Sequence, residues 1–442
     1  MASSFPPSPV NTIDWSNVGF RVREGEQGHP EILRPQNLYF AHHEAFPLAQ
    51  AIRYYNLALS VHQNYIFNGH IESHYSVKTG KWTEPQFIED PYLRIHGMAP
   101  GLNYGQQCYE GMKAFRSPKN EINIFRPTQN AERMQHSASF ISIPAVPTEL
   151  FQKACRLAVG LNAAYVPPHE TGAAMYIRPL LFGSSAQLGL NPPEEYTFCV
   201  YVLPTGVYHG THPVDALILE SFDRAAPDGT GSAKVGGNYA PVLRWSDKAR
   251  NAGYGITLHL DSKTRSVVDE FSTSGFIGAL KDGENVTLVV PDSKSVIKSV
   301  TSDSVCQIAK SFGWKVEARP VRFFPVKHGV YGRVEHADAI SQIAYEELPS
   351  FSEVMAAGTA AALVPIKSIT MESKGDKFEY QNGSDEPGPV CVKLLTMLKG
   401  IQLGKIKDEF GWLDRVEKPE GYVNGSAGNG DGNGDDNVDR LP

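Results

Sequence analysis

Gly229-Thr-Gly231-Ser-Ala-Lys234-Val-Gly236-Gly237-Asn238-Tyr239 sets a single lysine between glycines on both sides. Two phosphate-binding templates fail on this stretch. A P-loop requires Gly-Lys-Ser/Thr after a four-residue spacer, and the dinucleotide fingerprint requires a third glycine where Lys234 stands. Nucleotide binding is therefore not expected. Taken alone, the stretch also reads as a flexible surface turn with a solvated lysine. Its meaning depends on what accompanies it along the chain.

A lysine can hold pyridoxal 5'-phosphate as a Schiff base. That chemistry also needs a carboxylate at the ring nitrogen, a donor near the ring oxygen and anion sites for the phosphate. Each has a candidate. Glu270, in Val267-Val-Asp-Glu270-Phe-Ser-Thr273-Ser-Gly275, follows a strand-like run and is placed to keep the ring nitrogen protonated; a solvated loop carboxylate would read the same way. Val300 and Thr301 precede a helix expected over 302–312, whose first N–H groups and positive dipole end suit a phosphate. An ordinary helix cap has the same sequence appearance.

Outward from this region, the 442 residues are 41% hydrophobic and 10% aromatic, enough to bury a sizeable core in two or three domains. An N-terminal arm is expected over 1–50, a small α+β domain over 51–203 and a linker over 204–214. A large cofactor-binding domain follows over 215–415, with a disordered acidic, Gly-rich tail over 416–442. The tail's composition cannot repay the entropy of ordering. Strand-like runs include Tyr65–Phe67, Ala174–Ile177 and Thr197–Leu203, and helical ones 126–140, 149–162 and 390–400.

The formal charge of −7 is concentrated in the tail, where six acids face two bases. No Lys/Arg-rich block marks a nucleic-acid or anionic-membrane binder, so small molecules are the expected partners. The five cysteines are scattered, without zinc-site or dithiol spacing, and no metal site is expected. No apolar run of about 18 residues spans a membrane, and the first residues lack a presequence pattern. Cytoplasmic location is the expectation.

The residues resemble the class IV, branched-chain family of aminotransferases over most of 60–415. The blocks occur in the family's order. Tyr104-Gly-Gln-Gln-Cys-Tyr109-Glu-Gly-Met-Lys-Ala-Phe-Arg116 is similar to its Tyr-x4-(Phe/Tyr)-Glu-Gly-(Met/Leu)-Lys-Ala segment; then come Ile124-Phe-Arg126-Pro, Arg133-Met and Met175-Tyr176-Ile-Arg178-Pro. Lys234-x-Gly-Gly-Asn-Tyr239, Glu270, Gly358-Thr359-Ala360 and Ile401-Gln-x-Gly404 complete the series.

The resemblance implies a mixed α/β, two-domain fold of type IV with the cofactor between a small and a large domain. It implies that Lys234 bonds the cofactor, that Arg126, Val300, Thr301 and Thr359 bind its phosphate, that Tyr239 meets the ring oxygen and that Glu270 pairs with the ring nitrogen. Tyr104, Tyr109, Tyr176 and Tyr208 would line the side-chain pocket, with Thr273 close by, and Thr359-Ala360 would face the substrate carboxylate. Each tyrosine has an alternative as a core aromatic, and Arg178 is either a substrate and pocket organiser or half of a structural ion pair. A homodimer is implied, its small domain covering the partner's pocket.

Three departures bear on the substrate side. The family's Pro-Gly turn and arginine before the phosphate helix are replaced by Val296-Ile-Lys298-Ser299-Val300-Thr301-Ser302. Its Glu-x-Gly-Thr is Glu270-Phe-Ser272-Thr273 here, and its Phe-Thr-Asp-His is Phe67-Asn68-Gly69-His70. The expected reaction is transamination between a hydrophobic, branched-chain-like L-amino acid and a 2-oxo acid such as 2-oxoglutarate. A D-amino acid or amine transaminase, a lyase, a racemase and a catalytically idle assembly partner are the alternatives.

Overall fold

The computed structural model describes residues 68–206, 212–226, 228–320 and 345–419. The arm over 1–50, the run Tyr65–Phe67, Tyr208 and the chain from 420 onward lie outside the described residues. Two nine-stranded sheets carry the architecture, a mixed α/β arrangement as expected.

The first sheet is built from β1 (His70–Ser76), β2 (Lys81–Trp82), β3 (Gln86–Ile88), β4 (Gln107–Tyr109), β5 (Met112–Arg116), β6 (Ile122–Phe125), β7 (Ala174–Gly183) and β8 (Glu195–Thr205). Its ninth strand comes from much later in the chain. The second sheet takes β9 (Val214–Ile218), β10 (Ile256–Leu260), β11 (Val268–Phe271), β12 (Gly275–Asp282), β13 (Asn285–Asp292), β14 (Lys315–Pro320), β15 (Glu353–Gly358), β16 (Ala362–Met371) and β17 (Asp376–Glu379). The chain then returns, and β18 (Leu413–Arg415) pairs antiparallel with β6 at the edge of the first sheet.

Among the described residues the α-helices are α1 (Pro100–Asn103), α2 (Pro127–Phe140), α3 (Thr148–Leu161), α4 (Leu243–Asn251), α5 (Val300–Ser311) and α6 (Pro389–Gln402). Along β7 the period of two decides what each face does. Met175, Ile177 and Leu181 are buried against Met134 of α2 and Phe151, Ala154 and Ala158 of α3, where full burial of a large apolar side chain is worth about 1.5–3 kcal/mol. Tyr176, Arg178 and Leu180 alternate with them and are only half-buried. One face of β7 thus makes a core, and the other is left to chemistry.

The second sheet is buried on both faces. Ile277, Leu288, Met355 and Ala357 pack under α5 and α6, while Phe271, Phe276, Val354 and Ile369 form a separate core. Phe115 and Phe125 of the first sheet enter the α5–α6 core and join the two sheets. The first turn of α6 is anchored by the buried Glu353 carboxylate, which accepts from Val390 and Cys391 N–H at 2.9 Å each.

Several sequence expectations are corrected. The helix placed at 302–312 begins at Val300, because Ser299 is its N-cap and accepts from Ser302 N–H. Glu270 lies inside β11 rather than in a loop. Residues 413–415 pair with the first sheet, and Val416, expected at the start of the tail, is fully buried and donates to Ile122 O at 2.9 Å.

Candidate active site

Lys234 is held by its backbone before its side chain does anything. Its N–H donates to Ser137 Oγ of α2 at 2.9 Å, and its carbonyl accepts from Tyr109 N–H at 3.0 Å. Val235 forms a β-bridge with Cys108. The glycine-rich stretch is therefore fastened to the first sheet while it connects β9 and β10 of the second. Lys234 Nζ donates to Tyr239 Oη at 2.9 Å and lies 4.7 Å and 4.8 Å from the ring centroids of Tyr109 and Tyr239. Burial, with Tyr239 adding to it, holds the Tyr109 phenol well above its usual range, so that hydroxyl stays protonated.

Glu270 is 5% exposed and ion-paired with Arg224, which is 8% exposed. Ile297 N–H donates to the same carboxylate oxygen at 3.4 Å. Burial pushes the Glu270 carboxyl up to about 7, with Arg224 pulling against that rise. The positive charge of Lys234 also reaches it.

A third group of donors gathers at the start of α5. Arg126, with φ 51° in the left-handed region, turns the chain from β6 into α2 and is 5% exposed. Its guanidinium donates to Ser304 Oγ at 2.7 Å, pairs with Asp303 at 2.6 Å and stacks on Trp412 at 5.0 Å. Val300 and Thr301 occupy the first turn of α5, where N–H groups have no intrahelical partner. Arg126 Nε and Ser302 Oγ are buried without a hydrogen-bond partner among the described residues. A phosphate at this helix terminus would satisfy both, so the residues present fit the phosphate of pyridoxal 5'-phosphate.

On the substrate side, the Arg178 guanidinium stacks on Tyr109 and Tyr176 at 4.9 Å and 5.1 Å and donates to Tyr176 Oη at 2.8 Å. Among the described residues the polar partner of the Arg178 guanidinium is the Tyr176 hydroxyl rather than a carboxylate. Gly111 has to be small, because a Cβ would overlap Tyr176 Oη. Thr359 Oγ1 donates to Gly111 O at 3.3 Å and Lys113 Nζ to Ala360 O at 2.6 Å, so the turn after β15 is tied to β5.

Burial, with Lys399 nearby, lowers Lys113 to about 7. From about pH 7 to 10 the unfolded chain keeps a proton that the folded chain has lost, so stability rises with pH across that window. Lys113→Met removes this dependence. Its melting-temperature advantage over the parent should therefore be greatest at or below pH 7 and shrink toward pH 10, following roughly 1.4 kcal/mol per pKa unit. A difference that stays flat with pH would refute the assignment.

The structure brings together Lys234, Tyr239, Tyr109, Tyr176 and Arg178, and separately links Arg126 with Val300 of α5. Tyr104 ends α1 at the surface, 45% exposed, and Thr273 is exposed beyond β11. Ser272 is buried and its N–H donates to Thr257 O. Sequence reasoning missed Arg224 and Ser302. It also missed the fully buried Glu110, which takes two bonds of 2.7 Å from Arg133. Glu110 and Arg133 do fall within matched blocks, a signal that could have flagged them; Arg224 has no local sign in the chain.

The amino-transferase class IV family model matches residues 107–369. An aminotransferase of Emericella nidulans, atnJ, is 55% identical over 80% of this chain and 96% of its own. A branched-chain amino acid aminotransferase of Glarea lozoyensis, gloG, is 48% identical over 95% of this chain and 100% of its own. The crystal structure of the Escherichia coli branched-chain amino acid aminotransferase superposes with a TM-score of 0.62 at 25% identity, covering 79% of this chain and 100% of that one.

Proposed function

The chain belongs to the class IV aminotransferase family, whose members work with pyridoxal 5'-phosphate, and from that premise we propose that it moves the amino group of a hydrophobic, branched-chain-like L-amino acid to a 2-oxo acid such as 2-oxoglutarate. The observation that carries this reading is Arg178: a cation without a carboxylate among the described residues, held between two tyrosine rings beside the Lys234 cluster. An apolar side chain lies against the rings, and the distal carboxylate of a dicarboxylate meets the guanidinium.

The cofactor's protonated ring supplies the electron sink for the bond broken at the substrate Cα. Lys234 Nζ would hold the cofactor, and its amine is the group placed to take and return the proton at the substrate Cα. Tyr239 Oη serves the ring oxygen, and Glu270 holds the proton at the ring nitrogen. Arg126, the N–H groups of Val300 and Thr301, Ser302 and Thr359 bind the phosphate. The turn at Thr359-Ala360 receives the substrate carboxylate, with Lys113 bracing it.

All five cysteines are buried and unpaired, which suits a reducing cytoplasm. No helix among the described residues is long and apolar enough to cross a membrane. We place the enzyme as a homodimer, in which the exposed Tyr104 is available to the partner's pocket.

Mixing holoenzyme with single amino donors and following the bound cofactor's visible band tests the reaction. Leucine, isoleucine, valine and glutamate should each bleach it; bleaching by D-alanine or a simple amine alone would overturn the substrate assignment. Arg178→Met should raise KM for 2-oxoglutarate by roughly 10–150-fold, the worth of a charged hydrogen bond of about 1.5–3 kcal/mol. KM for leucine should change far less, and equal effects on both substrates would make Arg178 a general brace for the pocket.

A further inference from the structure

A second polar cluster lies against the Arg224–Glu270 pair and takes no part in the chemistry above. His259 is the Cα partner of Glu270 in the antiparallel β10–β11 pair, so their side chains leave the sheet on the same face. Thr257, two residues earlier on β10, shares that face. His259 is 2% exposed and Thr257 1%, yet both ring nitrogens of His259 and Thr257 Oγ1 have no hydrogen-bond partner among the described residues. Arg224 Nε and Asp269 Oδ1 are buried in the same condition.

These atoms complement one another. Arg224 Nε can only donate, Asp269 Oδ1 accepts, Thr257 does both, and a neutral histidine offers one donor and one acceptor. Burial, reinforced by Arg224, lowers His259 to about 3, so the ring is neutral at working pH. Buried polar atoms arranged like this are normally satisfied through ordered water.

The geometry has a consequence for Arg224. Among the described residues, its guanidinium reaches Gly231 O beyond Glu270, at 3.5 Å. We propose that His259 is a positioning residue: with Thr257 and buried water it holds Arg224 against Glu270, and so fixes the ionisation of the carboxylate that serves the cofactor's ring nitrogen. This rests on the reading of Glu270 given above. The charged and titratable groups facing Glu270 are Arg224 from the loop after β9, Lys234, Asp269 on β11 and His259 on β10. Asp261 and Ser293 face Asp269 in turn.

The test follows the Glu270 carboxyl in holoenzyme labelled with 13C-glutamate, its resonance assigned by loss in Glu270→Gln, alongside a pH titration of the bound cofactor's visible band. His259→Leu should move the Glu270 midpoint upward by about one unit, the low end of what loss of a nearby opposite charge does. His259→Gln, which keeps an uncharged donor and acceptor, should restore it. Thr257→Val should move it less, in the same direction, and serves if His259→Leu does not fold. Unchanged midpoints in the folded variants would overturn the proposal, as would a His259→Gln shift equal to that of His259→Leu. If instead Glu270→Gln leaves the cofactor band and its pH dependence unaltered, the ring-nitrogen reading fails, while the 13C midpoints still decide whether His259 holds Arg224.

Discussion

Replacing Lys234 by alanine should lower turnover by roughly 10⁴-fold or more, the combined loss of a covalent anchor and of the general acid–base that moves the Cα proton. No neighbour can take over. The Tyr239 hydroxyl lies 2.9 Å from Nζ, and Tyr109 turns its ring face toward it. Both are phenols, and Tyr109 is held protonated by its burial. The other nearby cation, Arg178, is a guanidinium that cannot lose a proton in a protein. Cofactor affinity should fall much less than turnover, because Arg126 and the first turn of α5 remain. Lys234→Arg should be as inactive as Lys234→Ala, since it keeps charge without nucleophilicity. Steady-state rates together with the visible spectrum check this, and turnover within tenfold of the parent in either variant would sink the assignment.

How much of this was legible in the chain depended on whether the signal was local. Lys234, Tyr239 and Arg126 stand in compact blocks, and 174–177 reads as a strand, whose core and half-buried faces the structure then tells apart. Arg224 stands ten residues before Lys234 in an unremarkable loop, and only burial against Glu270 gives it meaning. His259 escaped for the same reason: in Ile256–Leu260 it reads as the outward residue of an alternating strand, yet both faces of that sheet are covered. Val268–Phe271 was not read as a strand because two of its four residues are acids. Met112–Arg116 places Lys113 and Arg116 among fully buried neighbours, and charged residues in so short a run hide a strand. Tyr104 is a block match whose side chain is exposed in the single chain, and its place in a pocket is not legible from one chain alone.

Glu270→Gln should reduce kcat by about 10²–10³-fold with little change in KM for either substrate, a magnitude typical of removing one preorganised electrostatic contact. The substitution keeps the size of the side chain and an oxygen to accept from Ile297 N–H. What it removes is the negative charge. Without that charge the ring nitrogen has no reason to hold its proton, and Arg224 loses the carboxylate it is ion-paired with. The loss should therefore appear in the chemical step rather than in binding, and single-turnover rates with leucine separate the two. Because burial lifts Glu270 to about 7, its ionisation in the cofactor-free protein is easily tipped; the ring nitrogen and Arg224 both favour the charged form, so binding cofactor should draw the midpoint down. Combining Glu270→Gln with His259→Leu should add almost nothing to the loss caused by Glu270→Gln alone. Residues that act through one carboxylate cannot each take its contribution away twice, and their effects should be strongly non-additive. Additive losses in that double variant would mean that His259 acts on the site by some other route, and a Gln variant within about threefold of the parent kcat would remove Glu270 from the mechanism.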